Sequence, residues 1–247
     1  MSATRTSPTA AITHHRLPVE QGDLPLTIAR GAGDGAAVVI MPSAFGVGPD
    51  LEAQMQELAR EARAVVAIDP FFRDDAGPAP YDDMARVMAR LQGLDRPRSD
   101  RDLRAAIDWV RAQEGDRPVV MLGICFGGSY ALLAAADDVV DGVVTWHGTW
   151  LDNYVERAAE MRCPMRLHFG SADPFVPSAA VEAVRSAFVE HRDLRVIVHD
   201  GATHGFSHRA AAQAYNEPAE RAGMDSLREL IAQVGRQRVF STSSRAK

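Results

Sequence analysis

Short runs of consecutive apolar residues recur along the chain, separated by stretches in which apolar residues return every three or four positions. Runs such as VVIM, AVVAI, VVML and GVVTW do not alternate with polar residues, which suits central strands buried on both faces. The pattern predicts strands over Ile12–Leu17, Leu24–Arg30, Ala36–Met41, Ala64–Ile68, Pro118–Ile124, Gly142–His147, Met165–Phe169 and Leu194–His199. The first two are separated by a short turn holding Glu20, Gln21, Gly22 and Asp23, and therefore read as an antiparallel hairpin. Helical spacing predicts helices over Asp50–Arg63, Asp100–Gln113, Phe126–Ala136, Ser178–His191 and Glu217–Val234. Strands alternating with helices imply the α/β class: a mostly parallel central sheet of about eight strands flanked by helices.

One stretch interrupts the alternation. Residues 71–98 hold Asp74, Asp75, Gly77, Pro78 and Pro80, then the helix-like YDDMARVMARL. They read as an excursion outside the sheet that shapes a pocket, within a single domain over residues 11–240. Residues 1–10 and 241–247 are expected to be tails. The polar N-terminus lacks the apolar segment of a secretory signal, and no run approaches the length of a membrane span. A net charge of -6 argues against a nucleic-acid partner. Two cysteines exclude a disulfide scaffold, so a reducing cytoplasm is the expected compartment.

One of those cysteines carries the sharpest local signal. In Pro118-Val-Val-Met-Leu-Gly-Ile-Cys125-Phe-Gly-Gly128 a buried strand runs into a helix with almost no loop. This has the form of a nucleophile elbow, G-x-S-x-G, with Cys in place of Ser. The flanking glycines let the helix pass close to the strand, and the bend lifts the sulfur above the sheet edge. The new helix aims its N-terminus at the thiol, favouring the thiolate, and the Phe126 N–H can donate to a developing oxyanion. A structural, buried Cys is the plainer alternative, and it is the expected reading for Cys163.

An elbow nucleophile needs an acid and then a His, in that chain order. Met165–Phe169 is followed by Gly170-Ser-Ala-Asp173-Pro-Phe-Val-Pro177, where Asp173 sits just past a strand end in a Pro-rich turn. Leu194–His199 leads into Gly201-Ala-Thr-His204-Gly-Phe206, placing His204 on a Gly-flanked loop that can reach the elbow.

With Phe45-Gly46-Val47 after the third strand, these pieces make the chain resemble the dienelactone hydrolase family, of the α/β-hydrolase fold, from about Leu24 to the final helix. The resemblance implies hydrolysis of an ester or enol-lactone through a thioester, with no metal or other cofactor and a small molecule as the only partner. It makes Cys125 the attacking thiolate, His204 the base and Asp173 its orienter, with the Ala44 N–H as second oxyanion donor. It lines the pocket with Phe45, His147, Phe175, Gly205 and Phe206. The family's founding members carry a Glu where this chain has Ser43, so Ser43 joins the pocket as a hydroxyl and thiol activation falls to His204. Those members bind a substrate carboxylate with two arginines; Arg86 and Arg90, at one-turn spacing, and His208, with Arg209 beside it, are the candidates here. A general carboxylesterase or thioesterase, and a catalytically silent binding member of the fold, remain the alternatives.

Overall fold

The computed structural model describes residues 10–115 and 117–243, with side chains described to residue 236. Eight strands form one sheet: β1 (Ile12–Val19), β2 (Gly22–Arg30), β3 (Ala37–Met41), β4 (Ala64–Ile68), β5 (Val119–Ile124), β6 (Gly142–Trp146), β7 (Met165–Gly170) and β8 (Leu194–His199). Their order is β1-β2-β4-β3-β5-β6-β7-β8. The pairs β1–β2 and β2–β4 are antiparallel, and every later pair is parallel. The hairpin closes on Glu20 and Gln21 alone, because the ladder zips through Pro18 opposite Asp23. Proline is tolerated there because β1 is an edge strand, where a missing N–H leaves no ladder bond unmade.

The helices are α1 (Pro49–Leu58), α2 (Met84–Gly93), α3 (Arg96–Gln113), α4 (Gly127–Ala136), α5 (Ser178–Ala187) and α6 (Glu217–Ser243). A 3-10 segment over Leu151–Glu160, which the sequence pattern does not reveal, follows β6. α5 stops at Ala187, short of the expected His191, and three further helices depart from expectation for identifiable reasons. α1 ends at Leu58 instead of Arg63, because the Gly31-to-Gly35 loop donates its amides to Arg63 O and Glu61 O. A Cβ at Gly31 would lie 2.0 Å from Ala62 O, so only glycine lets this loop cap the helix. α3 begins near Asp95, whose side chain accepts from Arg98 N at 3.0 Å, with proline in the first turn; Asp100 is not the cap. α6 continues into the segment expected to be a C-terminal tail, while residues 1–9 and 244–247 of the two expected tails lie outside the described residues.

Apolar side chains on successive sheet positions feed two cores. Val38, Ile40, Val65, Val120, Leu122, Val144 and Trp146 pack with Met55 and Leu58 of α1 and Leu227, Leu230 and Ile231 of α6. Val39, Met41, Val66, Met121, Val143 and Leu167 pack with α3, α4 and α5 through Leu103, Ile107, Ala131, Val181 and Val184. Fully burying a leucine such as Leu227 or Leu230 contributes about 1.5–3 kcal/mol. Beneath these two layers the parallel strands all end at one edge, where Met41, Ile124, Trp146, Gly170 and His199 hand over to loops. That edge is where ligands bind in open α/β sheets. Among the described residues no helix is long and apolar enough to cross a membrane.

Candidate active site

Cys125 sits at the bend between β5 and α4 with φ +56°, a left-handed conformation that strains a non-glycine residue. Neighbouring backbone holds it there. Its N–H donates to Trp146 O at 3.1 Å, and its carbonyl accepts from Gly128 N and Thr149 N, both at 3.0 Å. The glycines of the elbow are needed for close approach. A Cβ at Gly123 would lie 2.4 Å from Gly127 O, and one at Gly127 would lie 2.3 Å from Met41 O. Helix α4 thus starts in contact with the ends of both β5 and β3, and its first turn points at the thiol.

His204 completes the arrangement from the loop after β8. Its Nε2 lies 3.1 Å from Cys125 Sγ, and its Nδ1 lies 2.8 Å from Asp173 Oδ2. With Nδ1–H donating to the carboxylate, Nε2 faces the sulfur. Asp173 is buried, and its other oxygen accepts from Phe175 N at 2.8 Å, which fixes the carboxylate in its turn. The two loops are tied directly by Ala172 N–H donating to Ala202 O at 3.0 Å. A Cβ at Gly170 would come within 2.2 Å of that same Ala202 carbonyl, so glycine permits the junction. Burial draws the His204 ring down, but the charge of Cys125 and hydrogen bonds to Asp173 and Cys125 outweigh it and push it up to about 10. The imidazolium, the form that pairs with a thiolate, is thereby favoured at neutral pH.

Above the sulfur lies a cavity of about 170 Å³. Ala44, Phe45, Phe175, His204 and His208 line it together with Cys125. The other walls are Met84, Val87, Met88, Leu91, Thr149 and Trp150. The α2 set is a stripe at i, i+3, i+4 and i+7, a signal present in the sequence. Trp150, in left-handed conformation just before the 3-10 segment, had no such signal.

Several expected pocket residues stand behind the wall instead. His147 and Phe206 are fully buried and meet edge to face at 5.0 Å; His147 also lies 4.8 Å from the His204 ring. His147 Nε2 hydrogen-bonds Ser207 Oγ at 2.9 Å, and burial, reinforced by the charge of His204, pushes the ring well below the ordinary imidazole range. Gly205, with φ +84°, provides the turn that seats His208. The buried Ser43 hydroxyl accepts from Phe45 N at 3.4 Å, within the loop that presents Ala44. Among the described residues neither the Ala44 nor the Phe126 N–H has a backbone partner.

The arginines do not reach the cavity. Arg90 is buried and donates to Ala44 O at 3.1 Å, Asp75 Oδ2 at 2.6 Å, and the Asp75 and Gly77 carbonyls at 2.7 Å. It braces the Ala44 loop from below. Arg86 pairs with the Asp75 carboxylate at 2.6 Å, and Arg209 with Glu57 and Glu220. His208 does line the cavity, but burial lowers it to about 4, so it is a neutral imidazole at neutral pH. Cys163 is pushed up to about 12, by burial first and then Asp141, which disfavours its thiolate. Among the described residues no group of three or more His, Cys, Asp or Glu is placed to hold a metal ion.

The parallel sheet, the elbow and the loops at its C-terminal edge define an α/β-hydrolase. The profile of the dienelactone hydrolase family matches residues 26–235, and the chain belongs to that family. It is 30% identical over 183 residues to a carboxymethylenebutenolidase of Pseudomonas putida, covering 72% of this chain and 77% of the relative. A carboxymethylenebutenolidase of another Pseudomonas strain is 28% identical over 204 residues, covering 81% of this chain and 85% of the relative. Among solved structures, a dienelactone hydrolase-like promiscuous phosphotriesterase from metagenomic libraries superposes with a TM-score of 0.74 at 23% identity, covering 91% and 99% of the two chains. The protein is accordingly an enzyme of the hydrolase class.

Proposed function

We propose that the enzyme hydrolyses an ester or lactone, enol-lactones among them, through Cys125, His204 and Asp173 and a thioester intermediate. The observation that carries this reading is the unbroken contact chain from Cys125 Sγ to His204 Nε2 at 3.1 Å and from His204 Nδ1 to Asp173 Oδ2 at 2.8 Å. The thiolate attacks the carbonyl carbon, and the Phe126 and Ala44 amides receive the charge that develops on oxygen. Collapse of the tetrahedral species expels the alkoxide or enolate, which takes the proton from His204. The neutral ring then takes a proton from water and becomes the imidazolium again, the hydroxide attacks the thioester, and the second tetrahedral species expels the Cys125 thiolate and releases the acid. One oxyanion donor contributes roughly 3–4 kcal/mol in related chemistry, so the Ala44 loop matters as much as the side chains. Ser43 is engaged with Phe45 N and is no base, so His204 alone holds the thiol proton. We read residues 11–240 as one domain working on a small molecule in a reducing cytoplasm, where Cys125 and Cys163 remain free thiols.

The test is thiol labelling beside turnover. Iodoacetamide at neutral pH should alkylate Cys125 much faster than a free thiol and abolish hydrolysis of p-nitrophenyl acetate. His204→Ala should lose both the fast labelling and the turnover. Labelling at the rate of free cysteine, or turnover surviving Cys125→Ala, refutes the assignment in favour of a silent binding protein or another nucleophile.

A further inference from the structure

We propose that the substrates are uncharged esters or lactones bearing an apolar chain, and that the chain lies along a rim formed by Met84, Met88, Trp150 and Phe175. The proposal rests on Cys125 as nucleophile and adds what the site selects.

The first observation is what the cavity over Cys125 lacks. Its lining among the described residues includes no Arg or Lys. Of its two imidazoles, His204 is committed to Asp173 and Cys125, and His208 is neutral. The arginines of α2 are engaged: Arg90 with Asp75 and three carbonyls, Arg86 with Asp75. A carboxylate entering this space would shed its water and meet no cation that is not already hydrogen-bonded to Asp173 and Cys125.

The second observation is independent and lies at the mouth. Among the described residues six large hydrophobic side chains are exposed, and four of them border this one cavity: Met84 at 45%, Met88 at 46%, Trp150 at 40% and Phe175 at 60%. Scattered exposed apolar residues need no explanation, but a cluster around the opening of a reactive site marks a binding surface. Met84 and Met88 stand one turn apart on α2, with Val87 and Leu91 deeper on the same stripe. Methionine adapts its shape to the group it meets, which suits chains of varied length. The cavity is small beside the roughly 300–1,000 Å³ of pockets that enclose drug-sized ligands. It accommodates the reacting carbonyl and a short group, leaving the remainder of a longer chain on the rim.

Arg96 is a cation at the rim, its guanidinium 4.4 Å from the centre of the Trp150 ring. It is the alternative receptor for an anionic substrate, and the experiment includes it.

The full-length enzyme is assayed at pH 7.5 on p-nitrophenyl acetate, butyrate and hexanoate, and on mono-p-nitrophenyl succinate, which matches butyrate in length but ends in a carboxylate. The expected result is a rise in kcat/KM of about two- to fourfold per added methylene, with succinate at least about tenfold below butyrate. Met84→Glu combined with Met88→Glu should flatten the chain-length profile, losing far more on hexanoate than on acetate. Succinate turned over as well as butyrate, or a flat profile in the wild type, overturns the proposal while fast labelling of Cys125 leaves the hydrolase reading standing. A preference for succinate that disappears in Arg96→Ala overturns it in favour of an anion site. No turnover of any ester, with Cys125 labelled no faster than free thiol, removes both readings together.

Discussion

Replacing Cys125 with alanine should release His204 from its raised proton affinity. In the wild type the ring lies 3.1 Å from the sulfur and 2.8 Å from Asp173, and it is lifted from the ordinary 6.5 to about 10. That difference corresponds to roughly 5 kcal/mol of preference for the imidazolium. Burial works against this preference, so the charge on sulfur and the two hydrogen bonds supply all of it and more. With the sulfur gone, Asp173 alone opposes burial, and the ring should titrate lower by about 1–3 pH units, the range typical of one lost opposite charge. The raised value also links folding to pH. The stabilisation it brings is complete below about 6.5 and is lost as pH rises through about 10. In Cys125→Ala that loss should move to lower pH. Ring resonances of His204 followed by NMR from pH 5 to 10.5 measure the titration directly, and urea unfolding at pH 6, 8 and 10 measures its linkage. A wild-type ring that titrates near 6.5, or one indifferent to the substitution, would refute the imidazolium–thiolate pair.

Asp173→Asn should lower kcat by up to about 10⁴-fold, because an amide no longer enforces Nδ1–H on His204; steady-state hydrolysis reads this. Gly123→Ala forces a Cβ to 2.4 Å from the Gly127 carbonyl, and thermal unfolding should show a loss above about 3 kcal/mol or failure to fold. Arg90→Ala leaves the Ala44, Asp75 and Gly77 carbonyls without their donor, so the melting temperature should fall and kcat should fall more than KM rises as the oxyanion loop relaxes. Phe206→Ala should cost about 3–5 kcal/mol in urea unfolding, since the ring is fully buried against His147 and His199.

The residues that declare themselves in the sequence are those whose role is local. Cys125, Gly123 and Gly127 lie within five positions, and their spacing alone encodes the bend. Asp173 and His204 follow strand ends, so chain order and turn chemistry are enough to place them. The continuous apolar runs likewise fix the sheet, because strands buried on both faces need no partner identified in advance. Arg86 and Arg90 fail for the opposite reason. A helical pair of arginines looks free until the loop carrying Asp75 folds back over them, and nothing in the local pattern reports that return. Ser43, His147 and Phe206 share the difficulty: each is close to the site in space, yet backbone direction turns it behind the wall. The shortened α1 has the same origin, since its end is set by glycines at positions 31 to 35 that lie before it in the chain.

The floor and the roof of the cavity come from separate parts of the chain. Sulfur, imidazole and carboxylate are set by the edge of the sheet, with the bond from Ala172 to Ala202 joining two of their loops, whereas Met84, Val87, Met88 and Leu91 arrive on a helix that adds nothing to the strands. On the proposed function, chemistry and selectivity are therefore divisible in this protein. A new stripe at positions 84, 87, 88 and 91 can retune which molecule is accepted while bond cleavage keeps its address, so diversification between close relatives should concentrate there and spare Arg90 and the bend at 125.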